Sequence, residues 1–91
     1  MTKTIWKFPL QVADEQIVQM PKNAEILTIQ AQKGDAYLWA IVNPDNALED
    51  RIILCRGTGH EIQSEFNIKY ISTCQFYEGD IIFHYFERIP I

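Results

Sequence analysis

Five consecutive residues, Arg56-Gly57-Thr58-Gly59-His60, have the types and spacing best suited to binding chemistry. Two glycines flanking a threonine let the backbone take positive φ and aim successive N–H groups at one point. With a guanidinium before it and an imidazole after it, such a nest suits a phosphate or a carboxylate. It is not a P-loop, because the Lys-Ser/Thr pair and a following helix are missing. Nor is it a dinucleotide fingerprint, which needs a third glycine and a βαβ setting. The same five residues also read as a tight chain reversal in which His60 caps backbone groups.

The aromatic residues are the second candidate. Two Trp, four Tyr and five Phe are many for 91 residues, and they do not all fit on the inner face of a thin sheet. Alternation sends Tyr37 and Trp39 to one side, and sets Phe83 and Tyr85 against Phe86. They form either a two-sided core with a self-association patch or a stacking platform for a base or other ring. Arg51, Arg56, His60 and Lys69 are expected near one end of the sheet, where they supply local positive charge. The candidate ligand-binding set is therefore Arg56, Gly57, Thr58, Gly59, His60, Trp39, Tyr37 and Lys69.

Catalysis is poorly supported. Only His60 and His84 titrate near neutrality without help, and no acidic residue stands at a spacing that suggests a triad. His84, between Phe83 and Tyr85, reads as a packed, hydrogen-bonded strand residue. No Ser or Cys sits in a nucleophile elbow. Cys55 and Cys74 lie in apolar strand-like stretches, with no second Cys or His at ligand spacing, so they read as reduced, buried thiols. The expectation is a non-enzyme with no catalytic residues, no metal and no cofactor.

The elements that must position these residues follow period two rather than 3.6. Strands are expected over residues 4–11, 16–20, 24–33, 36–43, 51–56, 70–77 and 81–87. Pro9 cannot donate to a ladder, so the first strand belongs at an edge or bends there. In the third, Leu27, Ile29 and Ala31 are expected on one face. Gln32-Lys33-Gly34-Asp35 predicts a hairpin, and Glu78-Gly79-Asp80 a second. The strand at 36–43 is apolar on both faces, which places it centrally. Ala47–Asp50 is expected to form one helical turn. The prediction is a single all-β domain over residues 1–91, of about seven mostly antiparallel strands in sequential hairpins, forming a small sandwich or open barrel.

Eight Lys and Arg against twelve Asp and Glu give a formal charge of -4. That balance argues against a long nucleic-acid groove, which needs clustered positive charge, but leaves room for a small anion. The acidic groups, among them Asp14, Glu15, Glu49, Asp50, Glu61 and Glu78, are expected in or beside turns. No apolar run approaches the roughly 20 residues of a membrane span, and the first residues lack a leader's apolar region. A cytoplasmic setting is expected. So is a homo-oligomer, since a chain this small encloses a ligand poorly alone.

Across nearly its whole length the chain resembles a group of small phage and prophage proteins labelled as a domain of unknown function. The resemblance rests on Thr4-Ile5-Trp6-Lys7-Phe8, Met20-Pro21 with Ala24-Glu25-Ile26-Leu27, and Leu38-Trp39-Ala40-Ile41-Val42. It continues through Gly57-Thr58-Gly59-His60, Tyr70-Ile71-Ser72-Thr73 with Gln75, and Phe83-His84. It implies a phage-borne accessory protein, of a kind that often acts against host defences. Two functions are expected from residues and resemblance together. One is sequestration of a small anionic, nucleotide-like ligand. The other is inhibition of a host defence protein or nuclease by an acidic surface or an added edge strand. A minor virion or assembly role is the third.

Overall fold

A computed structural model of the chain describes residues 2–90. Among these the chain forms seven strands: β1 (Thr4–Pro9), β2 (Glu15–Pro21), β3 (Glu25–Gln32), β4 (Asp35–Val42), β5 (Leu48–Gly57), β6 (Ile68–Phe76) and β7 (Ile81–Arg88). No helix is long and apolar enough to cross a membrane. Every pairing is antiparallel, in a three-stranded sheet of order β1-β4-β3 and a four-stranded sheet of order β2-β5-β7-β6. The fold is the expected all-β arrangement, and it does not close into a barrel.

The β3–β4 hairpin turns on Lys33 and Gly34, with φ of 53° and 86° between the paired Gln32 and Asp35. Two positive φ values in a two-residue loop make a type I′ turn, whose twist matches that of the strands. The β6–β7 hairpin closes through Tyr77–Gly79, all three with positive φ, and the Asp80 N–H donates to the Tyr77 carbonyl at 3.1 Å.

Alternation on β4 builds half the core. Ala36, Leu38, Ala40 and Val42 are buried, while Tyr37, Trp39 and Ile41 face away. Val18, Met20, Ile53, Cys55, Cys74, Phe76 and Tyr85 meet them from the second sheet. On the opposite face of that sheet Leu54 is also fully buried, near the irregular 58–67 segment. That segment is tied down by Arg56, which reaches the Glu61 carbonyl, by the Arg88 guanidinium 3.8 Å from the Phe66 ring centroid, and by the Ile89 N–H on the Asn67 carbonyl.

The sheets meet where edge strands β3 and β6 approach each other, and side chains stand in for a ladder. The Ile29 N–H donates to the Ser72 hydroxyl at 2.9 Å, and the Cys74 thiol donates to the Ile29 carbonyl at 3.3 Å. Each strand carries a bulge there, between Ile26 and Thr28 and between Tyr70 and Ser72. An extra residue in a strand reverses the facing of the residues beyond it. Hence Ile26 and Ile29 both pack on the core, while Leu27, expected beside Ile29, is exposed; Ala31, beyond the bulge, stays on the face of Ile29 as expected, opposite Ala36.

A second departure is at Ala47–Asp50. Leu48, Glu49 and Asp50 are strand rather than a helical turn, opposite Pro21, Met20 and Gln19 of β2. Pairing with β2 overrides the local helical preference, and the Gln19 amide donates to the Asp50 carboxylate at 2.9 Å. Glu49 and Asp50, expected in or beside turns, thus lie within a ladder, while Glu15 opens β2 beside the β1–β2 link as expected.

Candidate functional site: the Gly57–His60 turn and the faces around it

β5 delivers Arg56 to the outer face of the second sheet, opposite His84. Its guanidinium donates to three backbone carbonyls, those of Asp14 at 2.8 Å, Cys55 at 2.9 Å and Glu61 at 3.1 Å. Arg56 is therefore a clasp that ties the β1–β2 link and the 58–67 segment to β5. Carbonyls in such linking segments need donors, and one planar fork supplies several at once.

Next, the His60 N–H donates to the Gly57 carbonyl at 3.0 Å and Gly59 has φ +88°. Positive φ at the third of four turn residues defines a type II turn, which is why glycine stands at 59. The Gly57 N–H donates to His60 Nδ1 at 3.2 Å. The imidazole thus occupies the first donor an anion would use. A Cβ at Gly57 would meet the ring at 2.9 Å, so Gly57 makes room for that cap.

Thr58 points to the other side of the turn. Its hydroxyl is 2.7 Å from His84 Nε2, His84 Nδ1 is 3.0 Å from the Thr73 hydroxyl, and Thr73 is 2.8 Å from the Tyr70 hydroxyl. Sequence reasoning missed this four-membered relay. Its signal was the β6–β7 register, which sets Thr73 directly opposite His84. His84 shares the outer face with Ile82 and Phe86, as alternation predicts, and the Thr58 and His60 side chains leave the turn in different directions. A hydroxyl against an imidazole is the arrangement of an activated nucleophile. Here Thr58, Thr73 and Tyr70 are exposed, so their hydroxyls stand open to water.

The other predicted residues lie elsewhere. Tyr37 and Trp39 share the outer face of the first sheet, with ring centroids 6.2 Å apart, so the core separates them from Arg56. Lys7 covers them, its Nζ 4.0 Å from the Tyr37 centroid and 5.7 Å from that of Trp39. Lys69 pairs with Glu87, whereas Gly57 pairs with Phe83. Four residues of strand set them roughly 13 Å apart along β7. The cations expected at one end are thus split. Arg56 and His60 flank one end of the second sheet, and Arg51 and Lys69 the other.

At the Lys69 end Arg51 makes a forked pair with Glu87, donating from Nε and, at 3.0 Å, from Nη2. Its Nη1 donates to the Ala24 carbonyl at 2.9 Å, and Glu49 lies 3.8 Å away. Glu87 is 6% exposed. The Glu87 hydrogen bonds hold the Arg51 pKa above its ordinary value, against the effect of burial. Inside the core, burial pushes the thiols of Cys55 and Cys74 and the Tyr85 phenol up. Among the described residues no group of three or more His, Cys, Asp or Glu is placed to hold a metal ion.

β1 carries none of the predicted site residues, yet it leaves a sheet edge open. It pairs only with β4, and its other side carries no strand among the described residues. The Leu10 N–H donates to the Ala36 carbonyl, so by ladder alternation Ile5, Lys7 and Pro9 turn their backbone groups outward. Pro9 thus places its missing N–H on the open side, where an edge strand tolerates it. Ile5 is 58% exposed and Trp6 37%.

These features define a small two-sheet antiparallel β domain with an open edge. The chain belongs to the family described as Domain of unknown function (DUF7352), whose model matches residues 1–90. No curated protein and no solved structure matches it.

Proposed function

We propose that the chain is a non-enzymatic, phage-type accessory protein that acts in the host cytoplasm by binding a host protein along the open edge of β1. The observation that carries this reading is β1 itself, with outward N–H groups at Ile5 and Lys7 and large apolar side chains exposed on both faces. An extended segment of a partner gains main-chain hydrogen bonds from such an edge, and Ile5 and Trp6 supply side-chain contact above and below it. The geometry favours this over capture of a small anion. Within one chain, Arg56 and the Gly57 N–H already have partners, and Tyr37 and Trp39 face the other way. Self-association uses the same edge if the partner strand comes from a second copy.

The test is capture from host lysate by the wild type and by Ile5→Pro, with hydrogen exchange on the captured complex. Proline at position 5 removes one outward donor and leaves the β4 ladder whole. The expected result is a stoichiometric host protein that protects the Ile5 and Lys7 amides and is lost with Ile5→Pro. Equal capture by the variant, unprotected amides, or recovery only with phage particles would overturn the reading.

A further inference from the structure

A cleft opens at the end of the molecule where the β1–β2 link, the β3–β4 turn and the β6–β7 turn converge, with a volume of about 190 Å³. We propose that it binds a small quaternary ammonium compound. The site is separate from the β1 edge, and its occupancy does not depend on the partner proposed above.

Four aromatic side chains, Phe76, Tyr77, Phe83 and Tyr85, contribute to its wall. Phe76 and Phe83 have centroids 5.7 Å apart with planes at 56°, and Phe83 and Tyr85 are 6.4 Å apart at 85°. Rings so inclined form a corner rather than a parallel slot. A corner suits a compact, roughly spherical group and stacks a flat base poorly. Aromatic rings gathered around one point are how proteins hold quaternary ammonium groups; here Phe76 and Tyr85 form the buried floor and Tyr77 is the exposed ring.

Charge points the same way. Asp35 is the one charged residue among the described residues lining the cleft. Glu78 and Asp80 flank the lining residues in sequence, against a single Lys33 on the facing turn, in a chain of net charge -4. A cation is favoured there and a phosphate is not. Size narrows the occupant further, because drug-sized sites run to roughly 300–1,000 Å³. The cleft fits a head group and not a whole nucleotide.

The rim supplies an independent observation. Tyr77 and Glu78 hold φ of 50° and 55°, a conformation that bulky residues rarely adopt. Tyr77 is nonetheless 72% exposed. Strain of this kind recurs at ligand clamps, and here it sets the Tyr77 ring at the mouth of the cleft.

The test is a titration of the chain with choline chloride, followed by amide resonances and matched for ionic strength with sodium chloride. A parallel titration uses the neutral carbon isostere 3,3-dimethyl-1-butanol. The expected result is saturable shifts at Ala36, Tyr77, Ile81 and Phe83, with the isostere about fivefold or more weaker. Asp35→Asn and Tyr77→Ala, both at exposed positions, should each weaken choline severalfold while the remaining amide spectrum stays folded. Equal binding of the isostere would reduce the site to an apolar crevice and overturn the proposal. So would unsaturable shifts, choline binding unchanged in both variants, or a trimethyllysine peptide binding more than about tenfold tighter than choline, which would assign the cleft to a protein chain.

Discussion

Replacing Glu87 by Gln should be among the most damaging near-isosteric changes available to this domain. Glu87 is 6% exposed and accepts two guanidinium N–H groups from Arg51. The third contact of Arg51, to the Ala24 carbonyl, joins the second sheet to the start of β3. The amide keeps the volume and one acceptor, but it leaves a guanidinium that is 17% exposed facing a neutral group. Removing one partner of a buried pair costs about 3–5 kcal/mol. Arg51 keeps Ala24 and has Glu49 at 3.8 Å, so the expected loss is at the low end, about 3 kcal/mol. Domains of this size have roughly 5–14 kcal/mol in total. At about 4–8 °C per kcal/mol, the midpoint of thermal unfolding should fall by roughly 12–24 °C.

The double variant Arg51→Met/Glu87→Leu separates the pair's own contribution from the penalty of an orphaned charge. Replacing both ions with apolar groups is often close to neutral. Here it also leaves the Ala24 carbonyl without its donor, a loss of about 1 kcal/mol. Urea unfolding followed by circular dichroism should therefore place the double variant well above Glu87→Gln. A Glu87→Gln variant within about 0.5 kcal/mol of the wild type, the ordinary scatter of a surface change, would show that the buried pair does not hold the sheet. A double variant as unstable as the single one would be equally fatal to the idea of an orphaned charge.

Alkaline pH should destabilise the fold. Burial raises the pKa of Cys55, Cys74 and Tyr85, so the folded state keeps protons that the unfolded thiols release above pH about 8.5. Stability is full below that pH and falls as pH rises toward the folded values. The urea midpoint should drop between pH 7.5 and 10, and Cys55→Ala/Cys74→Ala should flatten most of the slope; a pH-independent wild-type midpoint would refute this. Ser72→Ala should cost about 1–3 kcal/mol in urea unfolding, because it leaves the Ile29 N–H buried without its acceptor. An unchanged midpoint would mean that this contact does not hold the sheets together.

The strands were legible because period two is a property of single strands. Ala36–Val42 states its own alternation, and the β6–β7 hairpin follows from runs on either side of Glu78-Gly79. What the sequence hid depends on partners. Bulges at Ile26/Thr28 and Tyr70/Ser72 arise where β3 and β6 meet, and no local pattern announces that meeting. How the candidate residues are arranged was hidden for the same reason. Arg56, Gly57 and His60 are binding residues by type, yet the loop they belong to consumes their donors on Asp14, Cys55 and Glu61 carbonyls and on the His60 ring. A donor counts toward a ligand only after the backbone around it has been satisfied, and in a 91-residue chain with long irregular links the backbone claims it first. The two proposals made above therefore rest on other surfaces. They are the outward side of β1 and the ring-lined corner beside Tyr77, one written in main-chain atoms and the other in the angles between rings.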